Sequence, residues 1–355
     1  MYKRIISVSA AALLVIGLAS CASTSETNGS EDSVKDLPHV SLITSFHFDA
    51  GNTGYAVAVD QGFYKDAGVD AEIIQGTGSN AALQRLLTGE VDFAMMDPAL
   101  MVRALDEDPT SDLVAVANIQ QETMYSALYV KGKKIKSVED LANPNIIFGD
   151  TGGSAATLYP TFVRTALNLT PDTPVNTTQM DASTRIGGLV NGTVDIVASV
   201  VVETPQVMAV AKDAGIEFGV FKYAEYGFNP YGYALVTTRA FVKSNPEVVR
   251  AVVEGSIRGW QWTAENLDEA TKIVQPLFGE TPLDISRAEV AIAVNLVVGG
   301  NAASKGIGDM DLDTWNRTLQ LAETGFGIKP GSVNVNDLFD SSFIPATPVT
   351  APLLN

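Results

Sequence analysis

Residues 89–97 read GEVDFAMMD, and residues 192–200 read GTVDIVASV. A leucine-bearing amphipathic stretch precedes each: NAALQRLLT (80–88) and STRIGGLVN (183–191). Apolar residues at helical spacing, a glycine stop and a short apolar run spell helix, turn and strand. Written twice, the phrase indicates two lobes of one βα design with something held between them. The repeated acids, Asp92 and Asp195, are a carboxylate pair whose spacing is open to a catalytic reading. Both fall at strand starts, however, whereas ligands in open α/β sheets bind beyond the carboxyl ends of strands. They read better as anchors of local backbone.

Outward from the first copy, VSLITSF (40–46) is a strand, TGYAVAVDQGFYKDAG (53–68) a helix ended by Gly68, VDAEIIQ (69–75) a strand and GTGSN (76–80) a loop. Asp97-Pro98 opens a further helix, with proline where a missing N–H costs least. Around the second copy, IIFGD (146–150), TGGS (151–154), AATLYPTFVRTALNL (155–169) and VNTTQ (175–179) repeat strand, loop, helix, strand. ETPQVMAVAKDAG then repeats the acid-x-Pro opening. Such alternation predicts helices covering a mainly parallel sheet in each lobe. Two extended apolar stretches, TMYSALYVKG (123–132) and NPYGYALVTT (229–238), flank the second unit. If both cross between lobes, the second lobe is inserted in the first. Lobe one is then 39–127 with 236–355, the latter mostly helical, and lobe two is 128–235.

The chain has 355 residues, 46% apolar and 18% charged, which is ample core material for two domains. Its formal charge of −18 argues against nucleic acid, which needs clustered Lys and Arg. One cysteine excludes an internal disulfide. The two histidines, His39 and His47, form no metal-ligand cluster, so neither a metal nor another cofactor is expected. Lys3 and Arg4 precede the apolar run IISVSAAALLVIGLA (5–19), short for a membrane span and right for a signal peptide over 1–20. LASC (18–21) resembles a bacterial lipobox, which makes Cys21 the lipidated first residue of the mature chain. The polar, acidic stretch from Cys21 to Pro38 reads as a tether.

Four further stretches carry a family resemblance. GFYKDAGVDAEIIQGTGSNAALQRLLTGEVDFAMMDPA (62–99) resembles the N-terminal lobe of ABC-importer solute-binding proteins, in the subgroup serving nitrate, sulfonates, taurine and the hydroxymethylpyrimidine precursor of thiamine. GDTGGSAATLYPTFV (149–163) is similar to that group's Gly-Ser loop entering a helix. IRGWQWTAENLDEATKIV (257–274) and DTWNRTLQLAETGFGI (313–328) resemble its C-terminal helices, the former most of all in the pyrimidine-precursor branch. The resemblance implies an α/β, two-lobed periplasmic-binding-protein fold of type II with two crossover strands. It also implies a monomeric binding protein, not an enzyme, that serves a permease and an ATPase and is held at the outer face of the cell membrane. The fungal pyrimidine synthases, enzymes on the same fold, use a histidine and a cysteine-rich segment, whereas this chain has a single cysteine, Cys21, and two histidines. A surface sensor without transport is a third class.

The candidate ligand residues follow from the cleft this fold implies. Thr151, Gly153 and Ser154 lie between a strand end and a helix start, where free N–H groups and the helix dipole favour polar ligand groups. Ser79 in GTGSN has the same setting; either loop can instead cap its helix and touch only water. Phe46 and His47 end the first strand. Tyr125 lies in one crossing stretch. Tyr231 belongs to FKYAEYGFNPYGY (221–233), whose six rings either line the cleft against a flat heterocycle or pack the hinge. Asp97 and Glu203 each open a helix, as acceptors for ligand N–H groups or as caps. Two cleft carboxylates favour a neutral or amino-bearing aromatic heterocycle over a sulfonate or nitrate anion, unless they are paired. Arg185 begins a helix close by.

If Cys21 carries the anchor, Cys21→Ser moves the protein to the soluble or unprocessed fraction on cell fractionation. Two acyl chains at about 0.8 kcal/mol per buried CH₂ hold a protein stably at a membrane, and the variant has neither. Wild-type membrane retention of mature Cys21→Ser refutes the lipoprotein reading.

Overall fold

Asp92 and Asp195 do the same work in two places. Asp92 Oδ2 accepts from the backbone N–H and the hydroxyl of Ser41, both at 2.9 Å. Asp195 Oδ2 accepts from the backbone N–H of Ile147 at 3.0 Å and from Lys134 Nζ at 2.9 Å. Each aspartate thus ties the start of its strand to the start of the neighbouring one, which is the anchoring reading of the repeated Val-Asp. The computed structural model describes residues 37–354. The expected signal peptide, Cys21 and the expected tether up to residue 36 lie outside the described residues.

Among the described residues, ten strands form two five-stranded sheets. They are β1 (His39–Thr44), β2 (Asp70–Ile74), β3 (Phe93–Met96), β4 (Leu113–Asn118), β5 (Tyr125–Val130), β6 (Phe148–Asp150), β7 (Thr177–Gln179), β8 (Ile196–Val200), β9 (Phe218–Lys222) and β10 (Ala234–Thr238). The first sheet has the order β2-β1-β3-β10-β4 and the second β7-β6-β8-β5-β9. Position for position these are one order, with β1, β2 and β3 matching β6, β7 and β8. The quoted stretches end in β3 and β8, the central strand of each sheet.

The sheets are mixed, not mainly parallel. β1 pairs in parallel with β2 and β3, and β6 with β7 and β8, as the repeated unit demands. β10 is antiparallel to β3 and β4, and β5 to β8 and β9. The cause is topological: β5 and β10 enter their sheets from the other sheet, so they run away from the cleft while the repeated strands run toward it. The linking segments 119–124 and 223–233 are pinned together. Gln120 N donates to Tyr233 O at 3.0 Å, Gly232 N to Gln120 O at 3.1 Å, and Tyr233 N to Gln120 Oε1 at 3.2 Å. A Cβ on Gly232 would lie 2.4 Å from Glu122 O, so the approach of the two chains demands glycine there.

Two expected helices break. The 53–68 stretch divides into Thr53–Asp60 and Phe63–Ala67 at Gly62, which is left-handed with φ 74°. The 155–169 stretch divides into Ser154–Thr157 and Tyr159–Ala166, because Pro160 has no N–H for the carbonyl one turn back. Behind the first sheet, the helix Pro246–Glu265 lies against Thr53–Asp60. A Cβ on Gly259 would meet Gly54 O at 2.1 Å, and the ring of the fully buried Trp260 fills the space beside Gly54. Among the described residues no helix is long and apolar enough to cross a membrane.

Asp92→Ala strands the Ser41 N–H and is expected to cost about 1–3 kcal/mol of stability, and Asp195→Ala a similar amount through Ile147. Urea unfolding followed by circular dichroism measures both. Asn at either position keeps one acceptor and restores most of the loss, and an unchanged midpoint for Asp92→Ala removes the anchoring role.

Candidate functional site: a cleft at the strand ends of both sheets

The parallel strands of both sheets end at one cavity of about 550 Å³, as expected where ligands bind beyond the carboxyl ends of strands. The segments after β1, β2, β6 and β8 supply most of its wall, and the crossing segments supply its floor with Met124 and Tyr233. The helix Leu312–Phe326 contributes Phe326.

Eight of the ten candidate residues line this cavity: Phe46, His47, Ser79, Tyr125, Thr151, Gly153, Ser154 and Glu203. Phe46 is 52% exposed at the rim, with the His47 ring 4.4 Å away in a T-shaped arrangement. Gly152 adopts φ 77° and donates to Asp150 Oδ1 at 2.8 Å, which turns the chain so that Gly153 and Ser154 face the cleft. A Cβ on Gly153 would meet no atom within 4 Å.

Asp97 and Tyr231 do not line the cavity. Asp97 is buried, and both its oxygens are engaged: Oδ1 accepts from Ala99 N at 2.8 Å as the cap of Pro98–Glu107, and Oδ2 accepts from the Tyr125 hydroxyl. Burial pushes its carboxyl above the usual range, against the pull of Tyr125, the Ala99 N–H and Ser154. Of the two roles expected for it, capping is the observed one, with a second bond reaching from the first sheet's strand end to a strand of the second sheet. Tyr231 packs edge-on against Trp315 at 5.5 Å, and its hydroxyl accepts from Asp311 N at 2.7 Å. Most of the 221–233 rings are packing residues too: Tyr223 stacks on Phe162 at 4.0 Å and Phe221 on Tyr129 at 4.7 Å. From that stretch Tyr233 lines the cleft.

Glu203 is paired. Arg185 Nη2 donates to its Oε2 at 2.6 Å, with both side chains about three-quarters buried. The other cleft cation, Arg103, bonds Glu107 at 2.8 Å and lies over the Phe326 ring. Sequence reasoning passed over Asp49, whose Oδ1 accepts from Gly51 N at 2.8 Å and Asn52 Nδ2 at 2.9 Å. It lines both the cleft and a smaller cavity of about 190 Å³ that also borders His47, Glu203 and Glu289. Burial, then repulsion by Glu203, pushes Asp49 up to about 7, and the same causes push Glu289 to about 7. Its place in the loop that follows β1 was a usable signal for Asp49. Nothing in the local sequence marks Glu289, which comes from the helix Leu283–Val298. No group of three or more His, Cys, Asp or Glu poised for a metal exists among the described residues.

Residues 50–270 match a known family over more than half of the chain. The chain belongs to the NMT1/THI5-like family. It is 22% identical over 315 residues to the formylaminopyrimidine-binding protein of Halalkalibacterium halodurans, covering 86% of this chain and 90% of that one. It is 24% identical over 315 residues to the riboflavin-binding protein RibY of Chloroflexus aurantiacus, covering 87% of each. The periplasmic aliphatic sulphonate binding protein SsuA from Escherichia coli superposes with a TM-score of 0.65 at 14% identity, covering 84% of this chain and 96% of that one. The fold is therefore the two-lobed fold of the periplasmic binding proteins.

Asp49 and Glu289 give the stability a pH signature. The folded chain keeps protons to about pH 7 that the unfolded chain releases near its ordinary values of 3.8 and 4.5. Stability therefore falls as pH rises from about 4 to about 7 and levels off above. Asp49→Asn and Glu289→Gln each flatten that slope and melt higher than the parent at pH 8; thermal unfolding across pH 4–8 measures this, and a parallel slope in both variants refutes the assignment.

Proposed function

We propose that this protein is the extracytoplasmic solute-binding component of an ABC importer, closing its two lobes on an aromatic nitrogen heterocycle such as a thiamine pyrimidine precursor. It delivers the ligand to a permease and an ATPase and is held at the membrane by lipid on Cys21. The observation that carries the ligand class is the pairing of charge in the cleft: Arg185 and Arg103, the two arginines that line it, are each bonded to a glutamate. A sulfonate or nitrate needs a cation free to receive it. A neutral ring instead gains from Phe46, Tyr125, Tyr233 and Phe326 together with hydroxyls at Ser79, Thr151 and Ser154. The names of the pyrimidine- and riboflavin-binding relatives support the same class. A binding role rather than catalysis is in keeping with a chain holding a single cysteine, Cys21, outside the cleft segments.

A thermal-shift panel of pyrimidines, flavins, sulfonates and nitrate tests this. A ligand at a hundred times its dissociation constant adds about 2.7 kcal/mol of stability, readily visible as a melting shift. The expected hit is a heterocycle, and Ser154→Tyr or Gly153→Val abolishes the shift while the unliganded melting point stays near the parent's. A shift from sulfonates or nitrate alone refutes the ligand class.

A further inference from the structure

The smaller cavity of about 190 Å³ has no part in the proposed function. It adjoins the cleft, with which it shares His47, Asp49 and Glu203, and it ends against Phe48, Phe278 and Glu289. Its wall brings three carboxylates together and contains no lysine or arginine. Arg185, from the cleft side, bonds one of the three, Glu203, on Oε2. Asp49 takes its bonds from Gly51 and Asn52 on Oδ1 alone. Glu289 is 8% exposed, and among the described residues its carboxylate has neither a hydrogen bond nor an ion-pair partner. The backbone N–H of Gln206 lies near enough to favour its charged form without completing a bond. Its oxygens are not among the sealed, unpartnered atoms of the core, and the chamber it lines is where they stay open. A carboxylate so deeply buried is costly to ionise without a cation, and this wall supplies none.

We propose that this side chamber is a subsite for a small organic ammonium group, held by the carboxylates of Glu289 and Asp49 beside the rings of Phe48 and Phe278. The walls decide for an organic cation. Val202 and Leu277 join the two rings, whose centroids lie 6.1 Å apart, and an alkylammonium gains from apolar and ring contacts that a hydrated metal ion does not. Among the described residues no group of three or more His, Cys, Asp or Glu is poised for a metal. The ammonium arrives on an arm of the molecule in the cleft or on a free amine; its chemistry is the same in both. The inference goes beyond the proposed function and does not depend on which ring fills the cleft. Burial and the charge of Glu203 keep Asp49 and Glu289 protonated up to about pH 7. A bound cation favours their charged forms, so binding expels protons and strengthens from pH 6 to pH 8. Glu203 and Asp49 are the charges that act on Glu289, and His47 is the remaining titratable group on the wall. On the neighbouring helix Leu267–Val274 the charges point to solvent, Asp268 paired with Arg287 and Lys272 with Glu269.

The test is calorimetric titration of the purified protein with two cations, each beside its uncharged twin: n-butylammonium with n-butanol, and 4-phenylbutylammonium with 4-phenylbutanol. Potassium chloride controls for ionic strength. Both ammonium probes are expected to bind at pH 8, with each alcohol roughly tenfold weaker or worse. Their affinity falls at pH 6, and at pH 7 the heats differ between phosphate and Tris buffers because protons are released. Glu289→Gln and Asp49→Asn each weaken the ammonium probes roughly tenfold and leave the alcohols unchanged. A misfolded variant does not give that selective loss, and both variants are expected to melt above the parent at pH 8. If the phenyl ring strengthens the ammonium more than it strengthens the alcohol, the subsite serves an arm of the cleft ligand; equal gains assign it to a free amine. Alcohols that bind as well as the cations, potassium chloride that reproduces the heats, or unchanged ammonium affinity in both variants overturn the subsite. The proposed function stands in each of those cases, since none of these probes is a heterocycle.

Discussion

Gln120 is where the two sheets become one molecule. Its backbone N–H and C=O bond the opposite crossing segment, and its side-chain oxygen takes a third bond from Tyr233 N. It is fully buried, so these bonds are made away from water and losing one leaves an unpaired group. Each sheet borrows its antiparallel strand from the chain on the far side of this junction. β5 is central to the contacts of β8 and β9, and β10 to those of β3 and β4. The cleft inherits its floor from the same place, since Met124 and Tyr233 lie on either side of the pinned segments. These bonds hold the two crossing segments in register where they pass between the sheets.

The repeated part of this architecture was legible because it is local. Helix, glycine and strand-start acid fall within a dozen residues, and strand-end loops announce themselves by Gly and Ser. What the sequence concealed is long-range. β4 is buried at every position, so it shows no alternation of apolar and polar residues. The antiparallel insertion of β5 and β10 depends on where a crossing chain docks, which no local period records. At the site, the loop residues of the candidate set reached the cavity, whereas Asp97 was drawn into capping and Tyr231 into the packing of Trp315. Ser199 sat inside the quoted GTVDIVASV as one polar letter in an apolar strand, and Phe326 and Glu289 arrive from C-terminal helices far along the chain.

Charge at the cleft differs in kind from charge on the whole chain. The formal −18 is spread over a solvated surface, where salt screens it within about 10 Å. Inside the cleft a few groups decide the field, because burial removes that screening. Asp49 and Glu289 keep their protons up to about pH 7, which spares the interior two more anions beside Glu203. Arg185 spends its charge on Glu203, and Arg103 on Glu107. The cleft thus carries many hydrogen-bonding groups and little uncompensated positive charge.

That arrangement separates fold from specificity. The SsuA fold neighbour is named for a sulphonate and the relatives of higher sequence identity for uncharged or weakly charged ring systems, on one backbone plan. The plan fixes where a ligand sits, at strand ends that point into a hinge. It leaves open which side chains face the ligand there. In this chain Glu203 follows β8 by three residues and holds Arg185, so that arginine is not a free cation in the cleft.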